Sequence, residues 1–128
     1  MNDAEFLKAY NASRNGTDNF YRHWAVHSFA YSEGVRECAN EGIAWLVDIA
    51  ATELPSVIRK VRENLATLTV VAKDGWARLS LTGSGDVPVP QSKPWVKRID
   101  YTDLPAGEYN FLIADEGGEF RMVLVTEY

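Results

Sequence analysis

The chain has a single cysteine, no apolar run approaching 18 residues, no basic half and no internal repeat. Each absence removes a class of protein. Cys38 alone cannot close an internal disulfide, so a disulfide-stapled scaffold is excluded and a reducing compartment is expected. A membrane-spanning helix needs about 20 consecutive apolar residues, and no such run occurs. Residues 1–64 carry 7 Lys and Arg against 9 Asp and Glu, and the remainder carries 6 against 9, for a net charge of −5. A nonspecific grip on phosphate backbones is therefore not expected, and the acidity is too mild to mimic DNA. The opening MNDAEFLKAY is acidic and amphipathic and not leader-like, so an unexported, cytoplasmic chain is expected.

What is present is enough for a core. With 128 residues, 46% hydrophobic and 24% charged, the composition is that of one globular domain spanning 1–128. Ser32–Leu54 places Val35, Cys38, Ala39, Ile43, Leu46, Val47, Ala50 and Leu54 at steps of three and four, the stripe of a long amphipathic helix. Ser32 can cap it, Glu33 and Glu37 suit its positive end, and Pro55 discourages Leu54 from helical geometry. Asp3–Ala12 reads as a shorter helix capped by Asn2 or Asp3, followed by a turn cluster over residues 13–19. Residues 20–30, FYRHWAVHSFA, suit either a strand or a bent helical turn. After Pro55, Ser56 could cap a short helix carrying Val57, Ile58 and Val61.

From Leu65 the apolar period changes to two. Leu65–Ala72 and Trp76–Thr82 flank Lys73-Asp74-Gly75, a strong hairpin signal. Gly83–Pro94 reads as an exposed, mobile connection, and Trp95–Tyr101 as a third strand. Tyr109–Ala114 and Phe120–Thr126 form a second hairpin around Asp115–Glu119; both carry apolar residues on both faces, which suits central strands. The fold class expected is α+β: N-terminal helices in a helical half, residues 1–64, with the long one packed on an antiparallel sheet of about five strands in a β-rich half, residues 65–128.

Five pieces carry a family resemblance: Gly16-Thr17 before Tyr21-Arg22-His23; Ser32-Glu33-Gly34-Val35 for T-D-G-V; Trp45-Leu46-Val47-Asp48 for W-L-L-D; Ile99-Asp100-Tyr101-Thr102-Asp103-Leu104-Pro105 for I-x-Y-T-D-F-P; and a terminal Glu127-Tyr128. In this order and spacing the chain resembles a small bacterial and phage family of domains of unknown function. Ser-Glu replaces Thr-Asp, Leu104 replaces Phe, and Thr126 stands where Ser is usual. The resemblance implies a cytoplasmic single domain whose relatives are often encoded on phages and other mobile elements. It brings no catalytic residues with it.

His23 and His27 are four apart, a spacing that on a helix aims both rings at one metal. Trp24 stands where the zinc pattern needs a glutamate, however, so no metal or other cofactor is expected; His23 reads instead as a core or turn histidine that hydrogen-bonds the backbone, and His27 as a surface residue. Arg22, His23, Asp48, Tyr101, Thr102 and Asp103 are the polar residues within the family pieces. In one cleft they would make an acid–base pocket, with His23 oriented by Asp48 or Asp103 and Arg22 holding an anion. The competing reading has Thr102 and Asp103 fixing their turn and Arg22 pairing with an acid. Cys38 on the apolar stripe reads as an inert small hydrophobe. Trp76, Trp95, Tyr101 and Tyr109, with Lys97 and Arg98, could form a base-stacking sheet face, which the acidity opposes.

The reading favoured is a non-enzymatic protein-interaction domain, an accessory or inhibitor protein of a mobile element. Its partner is expected to be a protein, with neither membrane nor nucleic acid, and homodimerisation through sheet edges open. The contact surface is placed at the 83–94 loop, the 115–119 hairpin tip and the aromatic sheet edge: Asp86, Val87, Val89, Lys93, Trp95, Asp115, Glu116 and Glu119. The alternative is a small enzyme, or a ligand or nucleotide binder, using Arg22, His23 and Asp103.

Overall fold

A computed structural model describes residues 3–12 and 19–128. Asn2 as a cap, most of the 13–19 turn cluster and the Gly16-Thr17 piece lie outside the described residues. The helical segments are α1 (Asp3–Asn11), α2 (Glu33–Cys38) and α3 (Ala44–Val61). A π-helical turn, Ala39–Ile43, joins α2 to α3, so the helical run spans 29 residues but is kinked at Gly42, whose φ of 123° and ψ of 0° lie outside helical geometry. Among the described residues there are seven strands: β1 (Phe20–Arg22), β2 (Phe29–Ser32), β3 (Leu65–Lys73), β4 (Trp76–Thr82), β5 (Val96–Ile99), β6 (Gly107–Glu116) and β7 (Glu119–Leu124). The fold is α+β, with a larger sheet than expected.

The two additional strands come from the undecided aromatic run. β1 and β2 form a hairpin on either side of a loop at residues 23–28, and β2 lies parallel to β7. The sheet is therefore mixed, not purely antiparallel, in the order β1-β2-β7-β6-β3-β4-β5, and residues 1–64 are not wholly helical. β6 and β7 are central, as their two apolar faces require. The first hairpin forms at Asp74-Gly75, where φ values of 52° and 83° meet the demand of a tight two-residue turn.

The long helix begins where Ser32 predicts, with the Val35 amide donating to Ser32 Oγ at 3.2 Å. It does not end at Leu54. Pro55 is buried inside α3 and the helix continues to Val61, with Leu54 and Ile58 fully buried. A proline within a helix costs roughly 3 kcal/mol, and burying two such aliphatic side chains offsets it. Ser56 does not open a new helix; its hydroxyl donates to the Glu53 carbonyl. One core joins these layers: Phe6 of α1, the stripe of α2 and α3, and the inward residues Leu68, Val70, Leu79, Phe111 and Met122 of the strands. Among the described residues no helix is long and apolar enough to cross a membrane.

α3 lies along the sheet and is gripped from both flanks. His23, just after β1, meets Asp48 on one side, and Lys97 of β5 meets Glu53 on the other. The 83–94 segment is not a loose connection. Val89 is 3% exposed, its amide donates to the Leu81 carbonyl, and Trp95 donates to the Val89 carbonyl in turn. Val89 therefore drops out of the expected contact surface, because its side chain belongs to the core.

Candidate functional site

The loop between β1 and β2 is built around one side chain. His23 is 3% exposed, and its Nδ1 accepts from the amides of Ala25 at 3.1 Å and Val26 at 3.0 Å. With Nδ1 used as an acceptor, the ring proton sits on Nε2, which donates to Asp48 Oδ1 at 2.8 Å. The His23 amide donates to the Phe29 carbonyl and the Phe29 amide to the Val26 carbonyl, closing the loop at its base. Arg22 adds a bond from its guanidinium to the His27 carbonyl. These bonds take up the amides of His23, Ala25 and Val26 and the carbonyls of Val26 and His27, so the loop is tied to the His23 ring and to the base of its own hairpin.

What the loop carries is Trp24. Its side chain is 80% exposed, whereas Trp76 and Trp95 are partly buried and Trp45 packs against the core. The indole N–H donates to the same Asp48 Oδ1 at 3.4 Å, and the ring lies 5.7 Å from the His23 imidazole, tilted by 31°. The Trp is thus positioned rather than waving in solvent. Residues 23–27 are a loop, so the four-residue spacing of His23 and His27 does not bring two rings to one point; among the described residues no three His, Cys, Asp or Glu are grouped to hold a metal.

The six polar residues that an acid–base cleft would need do not share one. His23 and Asp48 do meet, as the pairing anticipated between them requires. Arg22 pairs in register with Ala30, and its side chain reaches Glu119 at 3.7 Å. Tyr101, Thr102 and Asp103 follow β5. The Thr102 amide donates to the Gly75 carbonyl at the far end of the first hairpin, and Thr102 Oγ1 accepts from the Leu104 amide. His23 is level with Phe29 and, through it, with Phe120 and Asp115, near one end of β6; Thr102 lies near Gly107 at the other. Eight steps of strand separate Asp115 from Gly107, about 27 Å at roughly 3.4 Å each. Tyr101 is 92% exposed and isolated from both. The pocket of Arg22, His23 and Asp103 is therefore withdrawn: strand geometry holds Asp103 away from the other two, and both ring nitrogens of His23 are engaged.

The aromatic sheet face dissolves in the same way. Tyr109 points into the core and donates from its hydroxyl to the Pro105 carbonyl at 2.7 Å, while Trp76 on the opposite face stacks under the Arg98 guanidinium at 4.3 Å. Burial, then the neighbouring Tyr10 and Asp3, raise the Tyr109 hydroxyl above its ordinary pKa. At the 115–119 tip, Asp115 Oδ1 accepts from the Gly118 amide, and Glu116 and Glu119 face Arg121 at 3.0 and 3.6 Å. Asp115 and Glu116 serve their own hairpin, while Glu119 is shared between Arg121 and Arg22 of β1. Asp86, Val87 and Lys93 remain exposed, and Trp95 is half-buried.

Sequence reasoning assigned Glu127 no role, yet it holds the chain together. Its carboxylate is 5% exposed and accepts from Ser32 Oγ at 2.5 Å, the Gly34 amide at 3.0 Å and the Leu124 amide at 2.9 Å. A negative group at a helix N-terminus is favoured by the unsatisfied amides and the dipole there. Gly34 permits the approach, since a Cβ at that position would lie 2.6 Å from Glu127 Oε1. Two of the family pieces, Ser32–Val35 and Glu127-Tyr128, are thus the two halves of one contact. The only signal in sequence was a pairing of a Ser-x-Gly with a distant Glu.

The model of one protein family, described as "Family of unknown function (DUF6876)", matches residues 6–128. No curated protein and no solved structure matches the chain.

Proposed function

Because the chain belongs to the family of unknown function DUF6876, we propose its function from its own geometry: a protein-interaction domain that engages its partner through the β1–β2 loop, with Trp24 as the anchor. The observation that carries this is the use of His23. A buried imidazole commits both nitrogens to fixing a loop whose product is a tryptophan 80% exposed and held by its N–H. Exposed, pre-positioned Trp side chains are the residues that dominate protein interfaces, because they bring a large apolar area with little ordering left to pay for. Ala25 and His27 are exposed beside it and Val26 is half-buried, so the patch has room for a contact around the ring.

This reading keeps the proposed role of an accessory or inhibitor protein acting on a cellular protein. The single Cys38, buried and in no disulfide, suits the reducing cytoplasm proposed for it. A photo-crosslinking amino acid at Ala25, and in parallel at exposed Lys73 near the far end of β3, tests the placement in lysate of the native host. The expected result is one protein captured from Ala25 and absent from Lys73. Capture of the same protein from both positions, or from neither, overturns it.

A further inference from the structure

The other flank of α3 carries a second surface with different chemistry. β5 is the last strand of the sheet on its side, and its outer edge pairs with no strand among the described residues. Beside it runs a groove of about 310 Å³ between α3 and the chain entering β5, lined by Val57, Pro90, Lys93, Pro94, Trp95 and Val96. The ion pair of Lys97 with Glu53, at 2.9 Å, ties the strand to the helix further along β5. A free strand edge and an apolar groove on the helix side of that edge are the two parts needed to receive an extended peptide. Main-chain bonds hold such a peptide and every second side chain enters the groove.

We propose that this site binds an extended, acidic peptide segment of a partner protein as an eighth strand on β5. Charge selects the occupant. Lys93 is the one charged residue lining the groove and makes no ion pair among the described residues, and Lys60 lies about one helical turn beyond Val57 on the same flank of α3. An acidic side chain beside the groove neutralises Lys93, while apolar residues at alternate positions face Val57 and Trp95. A second copy of this chain is the wrong occupant. Pairing β5 with itself brings Lys97 and Arg98 against the same residues of the other copy, and like charges across strands are destabilising.

Selection from a random library of short peptides, about eight residues each to match an extended strand, displayed on phage and panned against the intact protein, is the test. Enriched sequences are expected to alternate β-branched or aromatic residues with polar ones and to include Asp or Glu. The best synthetic peptide is expected to shift amide resonances of 95–99 and of Val57. Lys93→Glu, at an exposed position that leaves the fold intact, is expected to weaken that peptide about fivefold or more, the scale of one partly screened charge pair. Trp24→Ala is expected to leave it unchanged, so failure of this site and failure of the Trp24 reading are told apart. Enrichment without acidic residues, affinity untouched by Lys93→Glu, shifts confined to another surface, or self-association through β5 each overturn the proposal.

Discussion

Among the described residues, His23 and Glu127 are the two buried polar residues that each collect several hydrogen bonds from the backbone or its cap, and they serve opposite ends. Glu127 gathers Ser32, Gly34 and Leu124 and closes the molecule on itself: everything it holds is buried. His23 gathers Ala25, Val26 and Asp48 and holds up a loop whose largest side chain faces solvent. Buried polar groups must be satisfied in either case, so satisfaction alone says nothing about function. The difference lies in what the bonds present. A network that ends in an exposed tryptophan does something a folding contact does not require.

Removing Glu127 is expected to give the largest loss. Glu127→Ala leaves the Ser32 hydroxyl and two amides buried without an acceptor, and roughly 4 kcal/mol of stability is expected to go in a urea titration. Gly34→Ala tests the same contact from the other side. Its Cβ must push the carboxylate away, and a loss of about 2–3 kcal/mol is expected. A loss below about 1 kcal/mol in both variants would show that Glu127 is not the clasp described here.

His23→Ala is the next in size. Two amides lose their acceptor and Asp48 a donor, but the loop can reach water, so about 2 kcal/mol is expected. The comparison is sharpened by hydrogen exchange, where faster exchange should be confined to residues 24–28, whereas Glu127→Ala should loosen the start of α2 as well. Tyr109→Phe removes one neutral bond to the Pro105 carbonyl, and about 1 kcal/mol is expected at neutral pH. The raised Tyr109 hydroxyl also sets a sign. Its neutral form is favoured in the fold, so its contribution is complete below the ordinary value of 10.0 and is lost as pH rises past it. Alkaline unfolding curves should flatten in Tyr109→Phe.

The helical stripe, both long hairpins and the Ser32 cap were legible because each is a local pattern of period or turn chemistry. The continuation through Pro55 was not, because the packing of Leu54 and Ile58 that overrides the proline comes from distant strands. Residues 20–30 stayed undecided between strand and turn for a similar reason: three- and four-residue strands carry too little periodicity to declare themselves, and β1 exists by pairing with β2, which in turn pairs with β7. At the site, the His23–Asp48 pair was named from sequence, since the family pieces contain both. A His23 bonded to the backbone was expected too, but which amides its Nδ1 accepts from, and that they leave Trp24 facing solvent, left no trace in residue type. Arg22 and Asp103 were grouped with it as the other polar residues of the family pieces, and strand direction sets Asp103 far from the loop.

Trp24→Ala has the smallest expected effect on stability, within about 0.5 kcal/mol, because four-fifths of the side chain already lies in water. That makes it the most direct test of the central claim. The measurement is partner recovery on tagged wild-type and Trp24→Ala protein from host lysate, with urea midpoints recorded on the same samples. Unchanged midpoints with about tenfold less partner recovered, or lower still, are expected, the magnitude of an interface anchor. Full recovery by Trp24→Ala, or a loss that tracks a collapsed midpoint, would contradict the account and reduce the loop to a structural turn.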